Sequence, residues 1–152
     1  MHIQIVAVGR LKSGPEKTLY DHYIERVTFP VAVHEVEEKK KLSAPELKIR
    51  EGELLLAEIP EGAIVVALDP KGTALSSELF AQKLRGWRDT GIKSLAFLIG
   101  GAEGLDFPVL QRANVILSLG QLTWPHMLVR GMLAEQIYRA QCIISGHPYH
   151  RN

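Results

Sequence analysis

The chain has 152 residues, of which 46% are hydrophobic and 23% charged, and its formal net charge is +1. That length suits one domain, residues 1–152, able to bury about two thirds of its unfolded surface. The near-neutral charge excludes a nucleic-acid affinity founded on bulk positive charge, so any RNA contact must come from local patches or from assembly of several chains. A single cysteine, Cys142, excludes an intrachain disulfide and fits a reducing, cytoplasmic setting. It falls in an apolar helical stretch and reads as a buried, inert thiol. No basic stretch precedes the first apolar run as in a secretory leader, and no uninterrupted apolar run approaches a membrane span.

In chain order, Ile3 to Val8 is an apolar run ending at Gly9, which predicts a buried strand. Pro15 opens a helix to about Val27, with Leu19, Tyr23 and Ile24 on one face and Ser13 or Gly14 as cap. Val31 to Val36 reads as a short strand. The Glu37–Lys41 charge run reads as a solvated loop, with an RNA-facing loop as the alternative. Ser43-Ala44-Pro45-Glu46 has capping-box spacing and starts a helix with Leu47, Leu54 and Leu55 as its apolar stripe. Ala63 to Leu68 is a fully apolar strand, closed by the turn Asp69-Pro70-Lys71-Gly72.

Ser76 or Ser77 begins the next helix, with Leu79, Phe80, Leu84 and Trp87 inward and Gly91 as C-cap. Ser94 to Ile99 and Val115 to Leu119 are further strands, separated by a short helix from Phe107 to Ala113. Met127 to Ile144 is the longest helix. Continuous apolar strands alternating with helices predict an α/β fold with a largely parallel sheet.

The common nucleotide and hydrolase signatures fail. There is no Gly-x-x-x-x-Gly-Lys-Ser/Thr, and the first strand leads into Gly9-Arg10-Leu11-Lys12-Ser13-Gly14, which is not a dinucleotide fingerprint. No Gly-x-Ser-x-Gly elbow supplies a nucleophile. His147 and His150 stand close together, but no cysteine or carboxylate beside them completes a metal site, so no metal is expected. The informative loops come late. Gly100-Gly101-Ala102-Glu103-Gly104-Leu105 and Leu119-Gly120-Gln121-Leu122-Thr123-Trp124 each follow an apolar strand, where glycine lets a ligand lie against bare backbone. The tail His147-Pro148-Tyr149-His150-Arg151-Asn152 concentrates polar and aromatic groups nearby.

These loops, with Thr123-Trp124-Pro125-His126, Ala134-Glu135-Gln136-Ile137-Tyr138-Arg139-Ala140 and the His147–Arg151 pentapeptide, appear in the order found in the RlmH family. The resemblance spans the whole chain and is weakest between about residues 30 and 62. It implies a SPOUT-type α/β sheet with a C-terminal trefoil knot, which nothing in the periodicity reveals. It also implies S-adenosyl-L-methionine as methyl donor, a homodimer, and the large-subunit ribosomal RNA of the assembled ribosome as partner. The reaction implied is methylation of N3 of a pseudouridine. A SPOUT enzyme acting on tRNA, and a ribosome-associated binding module without catalysis, are the other readings.

Carried over position by position, the cofactor pocket comprises Leu68, Gly100, Leu119, Gly120, Gln121, Leu122, Thr123 and Trp124. Gly120, Gln121 and Trp124 depart from the commoner family pattern. An imide N3 is protonated at neutral pH and needs a base or a positive group as it attacks. His150 is the first choice for proton removal, with Tyr149 and His147 beside it as further catalytic candidates. Arg151 is suited to a phosphate. Arg130 and Arg139 read as surface residues able to reach RNA or a partner chain. His126 reads as structural or as a helix cap, and Glu103 as a group orienting the glycine loop. Gly131, inside a helix, points to a close helix–helix approach across the dimer.

Overall fold

The protein is described here from a computed structural model covering residues 1–151; Asn152, the last residue of the predicted tail, lies outside the described residues. Strands and helices alternate: β1 (His2–Val8), α1 (Pro15–Ile24), β2 (Val31–Val36), α2 (Ala44–Ala57), β3 (Ile64–Ala74), α3 (Ser77–Asp89), β4 (Ser94–Ile99), α4 (Phe107–Arg112), β5 (Val115–Ser118) and α5 (His126–Ser145). The five strands form one sheet in the order β2-β1-β4-β3-β5, and every pairing is parallel. Parallel neighbours need crossovers, which the helices supply while burying both faces.

The two-residue period of each strand divides the core into two layers. Ile3, Ile5, Val66, Leu95, Phe97 and Leu117 pack under α1, α3 and α5. Val6, Val8, Val65, Ala67, Ala96 and Leu98 face α2 and α4. Helix ends follow the local signals. The Ser43 hydroxyl accepts from the Glu46 amide at 3.3 Å and donates to its carboxylate at 2.7 Å, and the Ser76 hydroxyl accepts from the Leu79 amide at 3.1 Å. Gly146, at φ 75°, ends α5 in the left-handed region, and the His147 amide then bonds back to the Cys142 carbonyl at 2.9 Å. Cys142 is buried, as its apolar surroundings predict.

Four expectations need correction. The turn at residues 69–72 does not end its strand: β3 runs on to Ala74, and Leu117 of β5 faces both Leu68 and Thr73 across the excursion. Asp69 Oδ1 accepts the Lys71 amide at 2.8 Å, so the residues do turn, but the chain then re-enters the sheet. Leu79 is 49% exposed rather than inward, because Phe80, Ala81 and Leu84 take the buried face of α3. Arg130 is a core residue, only 1% exposed. Gly131 is explained within one chain: a Cβ there would stand 2.7 Å from Leu19 Cδ2 of α1.

Candidate active site

Ligands of parallel sheets bind beyond the carboxyl ends of the strands, and three neighbouring strands here open onto one cleft. Its volume is about 460 Å³, within the range of small-molecule sites. Leu68–Pro70 contributes from the excursion of β3, Ile99–Ala102 with Gly104 and Leu105 from the loop after β4, and Leu119, Gly120 and Leu122–His126 from the segment after β5. The glycine loop closes on itself through the Gly104 amide and the Gly101 carbonyl at 3.0 Å, and Glu103 is exposed beside it. Gly100 serves this closure: a Cβ there would lie 2.9 Å from the Gly104 carbonyl. At Gly104 and Gly120 the φ values are 79° and 113°, and a Cβ would meet nothing within 4 Å, so bare main chain faces open space at both.

Two side chains tie the β5 loop in place. The Ser118 hydroxyl accepts from the Gly120 amide at 3.1 Å and lies 3.0 Å from the Pro70 carbonyl and 2.9 Å from that of Gly120. It thereby joins the excursion of β3 to the loop after β5. The Trp124 indole donates to the Leu119 carbonyl at 3.3 Å. Leu122, 70% exposed, stands at the cleft's open side.

The first turn of α5 forms the remaining wall. Arg130 Nη2 donates to the carbonyls of Val8 at 3.1 Å and Gly9 at 2.7 Å, and Nη1 donates to Glu35 Oε2 at 2.5 Å. That oxygen also accepts the Leu11 amide at 2.7 Å. One guanidinium thus pins α5 to the ends of β1 and β2. Burial alone raises the Glu35 carboxyl, but the bonds from Arg130 and Leu11 and the charges of Arg130 and Arg10 outweigh it, leaving it below its ordinary value. His126, the first residue of α5, lines the cleft; burial and the Arg130 charge hold its imidazole below its ordinary value.

The tail folds back on α5 and reaches α3. Tyr149 Oη donates to Glu135 Oε1 at 2.9 Å, and the Arg139 guanidinium, bonded to the same oxygen, lies 4.8 Å from the Tyr149 ring centroid. Burial, then hydrogen bonds involving Tyr23 and Glu135, push the Tyr149 phenol far above its ordinary value, so it acts as a donor. His150 lies 3.0 Å from Arg139 Nη1 through Nδ1 and 2.9 Å from Glu78 Oε1 through Nε2. Arginine only donates, so Nδ1 accepts and Nε2–H points to Glu78. His147 Nδ1 accepts the Tyr149 amide at 3.2 Å.

The chain matches, over residues 1–150, the family described as "Predicted SPOUT methyltransferase". It is 56% identical to "Ribosomal RNA large subunit methyltransferase H" of Paramagnetospirillum magneticum over 99% of both chains. It is 53% identical to the protein of that name from Rhodospirillum centenum, again over 99% of both, and 53% identical to that from Rhodospirillum rubrum over the full length of both. The chain belongs to the RlmH family of SPOUT methyltransferases. A fold likeness agrees: a probable methylase family protein from Haemophilus influenzae Rd KW20 superposes with a TM-score of 0.59 at 12% identity, over 99% of this chain and 70% of that one.

Within this RlmH-family chain, Leu68, Gly100, Leu119, Gly120, Leu122, Thr123 and Trp124 all line the cleft. Gln121 is in the same segment but is exposed and is not part of the lining. His147, Tyr149 and His150 come together with Glu135, Arg139 and Glu78, and none of the three lines the cleft of its own chain. Arg139 belongs to this cluster rather than to open surface. Sequence reasoning missed Ser118, which looks like any strand residue, and placed His126 outside the cleft. The His126–Arg130 spacing of one helical turn was the available signal, since it puts both on one face of α5.

Proposed function

We propose that this chain transfers a methyl group from S-adenosyl-L-methionine to N3 of pseudouridine 1915, in helix 69 of the large-subunit ribosomal RNA, on the assembled ribosome in the cytoplasm. The observation that carries the proposal is the convergence of the excursion within β3 and the loops after β4 and β5 on one cleft in a chain of the RlmH family. The lining fits such a donor. Leu68, Leu117 and Leu119 offer apolar surface for an adenine ring, and the segment from 119 to 124 offers amides and carbonyls for its edge. Open main chain at Gly104 and Gly120 leaves space beside them. Bound there, the donor supplies an electrophilic methyl on a sulfonium, and in-line displacement makes positioning the main task of the protein.

The acceptor's proton is the second task, and in this reading it falls to the tail. His150, whose Nδ1 lone pair must first leave Arg139, is the proposed acceptor of the N3 proton, Tyr149 holds or stacks on the target base, and His147 sets the geometry of the turn through the Tyr149 amide. Because the tail packs on α5 and α3 away from its own cleft, we assign each cleft the tail of a second copy in a homodimer. Two copies also double the basic surface offered to RNA by a chain of net charge +1. The trefoil knot belongs to this proposal, with the cleft segment running directly into α5 as its C-terminal part.

The test is transfer of labelled methyl to ribosomes, isolated large subunits and tRNA from a strain lacking the enzyme, with mass mapping of the product nucleotide. Label on N3 of one pseudouridine in ribosomal RNA is the expected result. Label confined to tRNA, or ribosome binding without methyl transfer, would establish one of the other two readings instead.

A further inference from the structure

Among the described residues, Asp69 and His126 are the ionisable side chains in the lining of the cleft, and they differ in how they are held. Asp69 is fixed by the Lys71 amide at 2.8 Å. His126 begins α5 one turn before Arg130, and its Nε2 would lie 3.9 Å from a Cβ placed on Gly9, so the imidazole stands beside the end of β1 as well as in the cleft lining. We propose, building on the donor cleft assigned above, that His126 is a specificity-determining residue that lets this cleft prefer a cationic sulfonium donor over the neutral thioether product. An uncharged imidazole gives the wall a polar, polarisable surface; a protonated one would place a positive charge beside the sulfonium. The two ligands share every other charged group and differ by the sulfonium methyl and its positive charge, so a positive charge on His126 would weigh on the donor more than on the product.

The surroundings support an uncharged ring. Burial and the Arg130 charge both act against its protonation. Arg130 is on the same helix, and Glu35 of β2 is spent on Arg130 and the Leu11 amide. Arg10, in the loop after β1, pairs with Glu37 at 3.5 Å. Asp69 is the acid within the lining, Glu103 is exposed on the glycine loop, and Glu51 of α2 lies behind Gly101, which separates it from the cleft. No described carboxylate is bonded to His126 to favour its charged form.

Calorimetric titration of the full chain with S-adenosylmethionine and S-adenosylhomocysteine at pH 8 tests this without turnover. His126→Lys, which sets a fixed positive charge in the wall, should lower the preference for the donor over the product on the order of tenfold. His126→Asn, uncharged like the ring it replaces, should hold the preference within about twofold of the unmodified chain. Thermal unfolding confirms that each variant is folded, and His126→Arg takes the place of His126→Lys if that variant does not fold. A preference that stays unchanged with the positive charge in place, or that falls equally in His126→Asn, overturns the role of His126 and leaves the cleft assignment standing. Binding of neither ligand at pH 8 overturns the cleft assignment and this inference with it.

Discussion

The cleft and the C-terminal tail are built from opposite materials. Around the cleft, main chain and apolar side chains do most of the shaping, through the Gly101–Gly104 closure, the Ser118 bonds and the Trp124–Leu119 bond. In the tail cluster, side chains bond to side chains: Glu135, Arg139, Tyr149, His150 and Glu78 form one connected set. The first kind of site is sensitive to an added Cβ and tolerant of changes beyond it. The second is sensitive to the loss of any polar group, because each partner is left half satisfied.

Several variants would break or sharpen this contrast. Truncation before His147 should lower methyl transfer by about a hundredfold or more while donor affinity stays within about twofold, since none of the described residues deleted lines the cleft of its own chain. Paired rate and calorimetry measurements decide it, and a truncated chain with normal turnover would sink the tail's role. Gly72→Ala should cost about 3 kcal/mol in urea unfolding, because its Cβ would fall 2.5 Å from the Ile116 carbonyl oxygen, which is fixed in β5. Arg130→Met should cost roughly 2–3 kcal/mol, leaving the Val8 and Gly9 carbonyls without their shared donor.

That arginine also predicts a pH response. The folded state holds the Glu35 carboxyl below its ordinary value of 4.5, so its contribution is present above that pH and is lost as pH falls further. Stability curves of the unmodified chain should therefore slope downward below about pH 4.5, and Arg130→Met should flatten the slope. The smallest effect has the opposite sign. Glu51 is buried under the glycine loop, its Oε1 has no hydrogen-bond partner among the described residues, and burial and the Glu103 charge raise its carboxyl. Glu51→Gln should stabilise the fold at neutral pH by about 1 kcal/mol, measured as a raised midpoint of thermal unfolding; a lowered midpoint would show that the carboxylate has a partner in solution.

Much of this fold was legible locally. The apolar runs at residues 3–8, 63–68 and 94–99 became the three central strands, and Ser43 and Gly91 marked helix ends where predicted. The cleft was legible too, because glycines after strands announce bare main chain. Other residues could not be read this way. An arginine on a helix looks solvent-facing until the ends of β1 and β2 supply three acceptors for it, as happens to Arg130. A four-residue turn looks final until a neighbouring strand offers a second register, as Leu117 does to Thr73.

By itself the order of residues determined the alternation of strands and helices, their caps, and the glycine loops, since each depends on side-chain period and backbone freedom within a few positions. Tertiary structure alone decided the β2-β1-β4-β3-β5 order, the burial of Arg130, the place of His126 in the cleft wall and the seat of the tail on α3 and α5. Those features join groups far apart in sequence. Their partners are set by packing and desolvation, which no local stretch of chain encodes.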